Sequence, residues 1–167
     1  ETAIRGFNEF IIPLKGTSTS WEIDHYGGST DLQYEKRVKE MLSINKGFNF
    51  CGIRTKEEVN KLYMKYDLFL HPSAVEGGSL VVREALEAGL PIIASNISCH
   101  KSLLGENYNG LYKQGSAKDL ALKLKNFFFD KVFKKNMELL TRKSNGKLAT
   151  REKEALGLKK IFCFLET

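Results

Sequence analysis

The feature that most constrains this chain is the alternation of short apolar segments with longer helix-forming segments. The strands are predicted at 21–26, 48–51, 67–71 and 90–95, and the helices between them at 31–42, 55–65 and 80–88. Strands that alternate with helices of about ten residues are typical of βαβ units and of a parallel sheet covered on both faces. The sequence therefore predicts an α/β fold with a Rossmann-like parallel sheet.

The loops that follow the predicted strands are the expected ligand-binding edge, because open α/β sheets bind ligands at the carboxyl ends of their strands. Gly27 and Gly28 follow the first strand, and Gly52, Ile53 and Arg54 follow the second. The third strand leads into a loop at 72–78 and the fourth into a loop at 96–101, from which His100 can reach a ligand. A plain turn explains the two glycine loops equally well.

Two acids bracket the start of the third predicted helix. Glu76 lies on the loop and Glu84 about one and a half turns into the helix, with Gly77, Gly78 and the N-cap candidate Ser79 between them. The separation suits an extended ligand, and the helix N-terminus offers unpaired N–H groups to its phosphate or hydroxyl oxygens. The alternative is an ordinary amphipathic helix with an exposed Arg83/Glu87 pair.

A wider set of residues, in this order and spacing, resembles one family. The set is Phe50-Cys51-Gly52, Glu58, Leu62-Tyr63, Tyr66-Asp67-Leu68-Phe69-Leu70-His71-Pro72-Ser73, Glu76-Gly77-Gly78-Ser79, Glu84-Ala85, Gly89-Leu90-Pro91-Ile92-Ile93-Ala94-Ser95 and Asn109-Gly110-Leu111. It resembles the donor-binding half of retaining GT-B glycosyltransferases of group 1, over about residues 1–130. The resemblance favours the ligand-site interpretation of the two acids.

The resemblance implies a role for each candidate residue. Glu76, Gly77, Gly78 and Ser79 are expected at the donor sugar, and Glu84 is expected to accept hydrogen bonds from the ribose hydroxyls. Leu80, together with Ser79, is expected near the diphosphate. The remaining nucleotide-binding residues implied are Gly27 and Gly28 on the diphosphate side and Gly52, Ile53 and Arg54 beside the base.

The implied reaction is transfer of a sugar from a UDP-, GDP- or ADP-sugar, with retention, to a glycan or lipid-linked acceptor. Glu76 is the catalytic candidate, either as a nucleophile or as a clamp on the sugar, and front-face attack favours the clamp. His71 is expected to be structural. No cofactor or metal ion is expected, because in such enzymes basic side chains and helix N-termini stabilise the leaving diphosphate.

Three departures from the family pattern limit this interpretation. The first strand of the donor half and its Gly-Arg and lysine signals are missing, and an N-terminal acceptor domain is missing too. Ser102 stands where relatives commonly carry a glutamate, and the end of residues 131–167 shows no family pattern. We therefore expect these residues to be part of a longer enzyme and to be inactive alone. The alternatives are a non-catalytic nucleotide- or sugar-binding module and a basic binder of anionic surfaces.

Charge and cysteine content narrow the possible partners and the cellular location of the protein. The net charge is +6, and lysine and arginine crowd residues 131–167, which we interpret as a basic helical tail after a nucleotide-sugar-binding domain at 1–130. The tail is either a solvated face or a surface for peripheral contact with an anionic membrane; no nucleic-acid-binding motif accompanies it. Three scattered cysteines and the lack of any apolar run of about 20 residues favour a cytoplasmic location.

Overall fold

The computed structural model describes residues 2–11, 22–28, 33, 35–36, 39–40 and 47–146. Its elements, in chain order, are α1 (Thr2–Ile11), β1 (Ile23–Tyr26), β2 (Phe48–Gly52), α2 (Lys56–Leu62), β3 (Phe69–His71), α3 (Leu80–Glu87), β4 (Ile92–Ser95), α4 (Ser98–Leu104), β5 (Leu111–Tyr112), α5 (Ala117–Phe129) and α6 (Lys131–Asn145). The predicted alternation is confirmed. Trp21, most of the predicted helix at 31–42 and residues 147–167 lie outside the described part.

All pairs of neighbouring strands are parallel. β1 pairs with β2, and β4 lies between β3 and β5 with Phe69 opposite Ile92 and Ala94 opposite Leu111. β4 is buried along its whole length, which explains its continuous apolar sequence, and helices cover both sides of the sheets. This is the Rossmann-like α/β architecture that the sequence predicts.

The described strands form two sheets, β1–β2 and β3–β4–β5. Side chains connect the two sheets: the Tyr26 hydroxyl lies 2.7 Å from that of Tyr66, which donates to the carboxylate of Asp24. Tyr66 precedes β3, so polar contacts rather than backbone pairing join β1 to the segment that leads into β3.

Phenylalanine-rich packing joins α1 to α5 and to β2. The ring of Phe7 meets Phe48 edge to face at 4.8 Å, and Phe10 stacks on Phe128 at 5.8 Å. Gly6 allows this close approach, because a Cβ there would lie 2.6 Å from a methyl carbon of Leu120. Phe128, in the aromatic run at the end of α5, therefore packs against the hydrophobic core.

The last helix, α6, packs on the same core. Met137 is fully buried, and Thr141 lies 2.8 Å from the hydroxyl of Tyr108, which accepts from the backbone N–H of Ile92 at 3.0 Å. Ser144 donates to the carbonyl of Leu104 at 2.7 Å. These buried hydrogen bonds fix which side of α6 faces outward. The helical interpretation after residue 130 covers Lys131–Asn145; the boundary between the two predicted units stays a prediction.

The helix α4 is an element that the sequence analysis missed, since residues 96–101 were expected to be a loop. It is seven residues long, and its N-cap Ile97 makes no side-chain capping bond. It ends at Gly105, whose φ of +96° is accessible mainly to glycine. A helix that starts without a capping side chain gives little sequence signal.

Candidate donor site

The loop between β3 and α3 brings Glu76 against the end of β3. His71 Nε2 lies 3.1 Å from Glu76 Oε1, and the Glu76 side chain is 27% exposed. The Ser73 hydroxyl and then His71 hold the pKa of the Glu76 carboxyl below its usual range. Burial lowers the pKa of His71. At neutral pH, a neutral imidazole N–H therefore donates to one carboxylate oxygen, which orients the second oxygen.

His100 lies behind this pair on α4, fully buried. Its ring meets that of His71 edge to face at 5.2 Å, and its Nδ1 lies 2.8 Å from the carbonyl of Ser95. The proton is therefore on Nδ1, and Nε2 is a buried acceptor that no described side chain pairs with. The expectation that His100 lies on a loop and can reach a ligand is wrong. His100 lies on α4, which turns its side chain into the core beneath His71.

The N-terminus of α3 follows Gly77 and Gly78. A Cβ placed on either glycine would meet no protein atom within 4 Å, and neither has a positive φ. Neither packing nor backbone conformation therefore accounts for glycine at these two positions. Ser79 occupies the predicted N-cap, but its buried hydroxyl makes no capping bond and has no partner among the described residues, while its N–H lies 3.2 Å from Cys99 Sγ.

Glu84 lies in a second polar cluster on α3. Its Oε1 is paired with Lys56 Nζ, and its Oε2 lies 3.3 Å from the Tyr63 hydroxyl. Burial, and then the Glu84 carboxylate, raise the pKa of Tyr63, which therefore acts as a donor. Lys56 is the first residue of α2, so this contact places Glu84 beside the loop that follows β2.

The loops after β1 and β2 meet each other. The Gly27 N–H donates to the carbonyl of Gly52 at 3.0 Å, and a Cβ on Gly28 would lie 3.1 Å from Ile53 Cδ1. Ile53 is 77% exposed, and Arg54 donates to its carbonyl at 3.0 Å. The five residues that the sequence assigns to the diphosphate and base therefore share one exposed edge, and Lys56 connects it to Glu84.

Leu80 is the remaining predicted site residue, and its side chain is 68% exposed at the first position of α3. Three residues of the candidate site were not predicted from the sequence: Lys56, Tyr63 and Cys99. Tyr63 belongs to the motif set quoted above, but no spacing rule connects α2 to α3 across more than 20 residues. These three contacts depend on how the helices pack, which only the structure provides.

Among the described residues, no group of three or more His, Cys, Asp or Glu side chains could hold a metal ion. None of the helices in the described part of the chain is both long and apolar enough to cross a bilayer.

The parallel sheets and the polar strand-end loops define a Rossmann-like half of the GT-B kind. The model of the family "Glycosyl transferases group 1" matches residues 15–144, so the chain belongs to that family. Its fold resembles sucrose-phosphate synthase from Thermosynechococcus elongatus, with a TM-score of 0.75 and 19% identity over 98% of this chain and 43% of that one. It also resembles Anabaena HepE in complex with UDP and glucose, with a TM-score of 0.66 and 20% identity over 86% and 40%.

Two curated relatives show the range of similar sequences. A sulfoquinovosyl transferase of Arabidopsis thaliana is 30% identical over 63% of this chain and 20% of its own length. A D-inositol 3-phosphate glycosyltransferase of Corynebacterium urealyticum is 31% identical over 48% and 19%. The chain therefore spans about a fifth of the length of these relatives.

Proposed function

We propose that this chain is the nucleotide-sugar-binding part of a retaining glycosyltransferase, with Glu84 at the donor's ribose and Glu76 at its sugar. The observation that carries the proposal is the separation of the two acids into different clusters. Glu84 lies beside α2 and the loop after β2, whereas Glu76 lies at the end of β3. A nucleotide sugar laid along this edge meets the base loop, the helix N-terminus and Glu76 in that order.

The helix N-terminus between the acids suits the diphosphate. The first N–H groups of α3 lie at the positive end of its dipole, and no protein side chain needs the space around Gly77 and Gly78. Backbone amides at Gly77 and Gly78 then bind sugar hydroxyls together with Glu76. On this basis, we assign Ser79 and Leu80, together with Gly27 and Gly28, to the diphosphate side, and Gly52, Ile53 and Arg54 to the base.

The reaction we infer transfers the sugar to a glycan or lipid-linked acceptor, in a pathway such as polysaccharide assembly. Glu76 acts as the clamp on the sugar, because His71 already holds one of its oxygens. The proposed donor is a UDP-, GDP- or ADP-sugar, and the proposal includes no cofactor. UDP is the nucleotide in the HepE complex that this fold resembles.

The proposal extends to the longer protein of which these residues would be a part. An acceptor-binding domain supplies the other wall of the cleft, and the 167 residues alone bind the donor without turning it over. The cytoplasm suits such a protein, since Cys51 and Cys99 are both free thiols. Release of UDP by these residues alone, measured with a UDP-sugar and a pooled acceptor, would contradict the inactivity.

The experiment that tests the ribose assignment is calorimetric titration of UDP, GDP and ADP into the wild-type chain and into Glu84→Gln. We expect one nucleotide to bind and the variant to bind it about ten- to a hundredfold more weakly, since hydrogen bonds to a carboxylate contribute about 1.5–3 kcal/mol each. Glu87→Gln, on the exposed side of α3, is the matched control and should bind like the wild type. Equal affinities for both variants would sink the assignment.

A further inference from the structure

The outward side of α6 combines apolar and basic side chains. Val132 and Leu139 are 69% and 53% exposed, and Lys135, Arg142 and Lys143 are exposed with them. Successive steps of three, four, three and one residues place these five within one side of a helix. Met137, Thr141 and Ser144 occupy the opposite, buried side. The exposure of two large aliphatic side chains is therefore a consequence of how α6 is anchored.

The same pattern recurs on α5. Leu122 and Phe129 are 52% and 53% exposed, and Lys118 and Lys125 are exposed on the same side, at steps of four, three and four residues. Phe129 also contacts Phe10, with 6.2 Å between the rings, so its ring is only partly available. We call these nine residues the basic face: Lys118, Leu122, Lys125 and Phe129 on α5, and Val132, Lys135, Leu139, Arg142 and Lys143 on α6.

The two helices that carry the basic face are joined at Asp130. Asp130 ends α5 and caps α6, accepting from the N–H groups of Val132 and Phe133 at 2.9 and 3.0 Å. Phe129 and Val132, both more than half exposed, lie on either side of this junction. Two exposed apolar side chains therefore flank, along the chain, the junction of the two basic helices.

The charge of the chain is concentrated on these helices. Residues 117–146 contain eight lysines and arginines against three acids, whereas residues 1–116 contain 13 against 14. None of the three acids belongs to the basic face: Asp119 accepts from the N–H of Lys113 at 2.6 Å, Asp130 is the cap, and Glu138 is half-buried at the side of α6. The face carries five positive charges and no negative one.

We propose that the basic face docks on an anionic lipid bilayer. A face that only keeps the protein soluble needs its charges but not four large exposed apolar side chains. A bilayer surface suits both classes, because apolar tips enter the boundary of the acyl chains while lysine and arginine reach the lipid phosphates. Lys123 and Lys134 lie over the rings of Phe133 and Phe127, so we do not count them among the cations that reach the bilayer. The proposal does not depend on the nucleotide site.

The test is flotation of the 167-residue chain with vesicles of phosphatidylcholine and with an equimolar mixture of phosphatidylcholine and phosphatidylglycerol. We expect binding to the anionic vesicles only, and at least about a tenfold weaker partition for Lys135→Glu/Arg142→Glu. Lys61→Glu/Lys65→Glu on and just after α2 makes the same charge change at exposed positions and should leave the partition within about threefold of wild type. If circular dichroism shows that the first variant unfolds, Lys135→Gln/Arg142→Gln carries the test, with an expected loss of about fivefold.

The apolar residues are tested separately. Val132→Ser/Leu139→Ser should weaken the partition about fivefold, whereas Met64→Ser, at a 78% exposed residue in the turn just after α2, should not change it. Equal binding to neutral and anionic vesicles, no binding to either, or full binding by the serine variant would each overturn the proposal. Retention of a single- or double-stranded oligonucleotide in place of the vesicles, lost in Lys135→Glu/Arg142→Glu, would also overturn it and assign the face to nucleic acid.

Discussion

The strand-end loops and the basic face of α5 and α6 use charge in opposite ways. At the strand ends each charged group has a specific partner: Glu76 is held by His71, and Glu84 by Lys56 and Tyr63. On the basic face the cations lie in rows without acids. The first arrangement fixes the orientation of individual oxygens, which suits recognition of one small molecule. The second creates a positive electrostatic field over a whole surface, which suits a large and laterally mobile partner.

The two regions share one core, and Met137 connects them because it is buried on the helix that carries half of the basic face. Met137→Ala should lower the free energy of unfolding by about 2–4 kcal/mol and weaken both nucleotide and vesicle binding through loss of the fold. Leu139→Ala, two residues away and 53% exposed, should change it by less than about 0.5 kcal/mol in urea unfolding. Equal effects of both variants would mean that α6 does not pack as described.

The variant Gly78→Ala should affect ligand binding without lowering stability. Gly78→Ala should keep or raise the free energy of unfolding by up to about 1 kcal/mol, because nothing crowds a Cβ there and alanine restricts the unfolded chain. The same variant should bind a nucleotide sugar at least about tenfold more weakly, since the new methyl group would fill space that the ligand needs. Unchanged sugar binding together with unchanged stability would remove the ligand explanation for this glycine.

Much of the strand-end site was predictable because its signals are local and ordered. Glycines, Glu76 and Glu84 fall at the ends of segments whose strand or helix character can be recognised from spacing. The contacts of Lys56, Tyr63 and Cys99 could not be predicted, because they depend on packing between segments distant in sequence. The basic face was visible only as composition, since its outward side is defined by which residues of α6 are buried.

With Glu84 at the ribose, as proposed, Lys56 would compete with the ribose for the Oε1 atom of Glu84. Lys56→Gln should therefore bind the uncharged nucleoside about two- to fivefold more tightly, the scale of a partly exposed ion pair. Lys61→Gln, an exposed position on the same helix, should bind like the wild type. Weaker nucleoside binding by Lys56→Gln would show that the lysine contributes to the site instead.

The smallest effect concerns His71, whose titration can be followed by NMR of its ring carbons. Its pKa should lie below 6.5, and Glu76→Gln should lower it further because the carboxylate favours the charged ring, whereas His100→Asn should raise it. A lowered pKa means that the folded state binds fewer protons than the unfolded state just below pH 6.5. Stability contributed by this group is therefore complete above pH 6.5 and is lost as the pH falls towards the lowered pKa.

The most direct test of the donor site is a titration of the ¹⁵N-labelled chain with the nucleotide sugar that binds, followed by amide chemical shifts. The account predicts shifts at Gly27, Gly28, Gly52 to Arg54 and Glu76 to Glu84, and none at the exposed residues of α5 and α6. Shifts that spare Gly77 to Leu80, or that centre on Lys118 to Arg142, would contradict it.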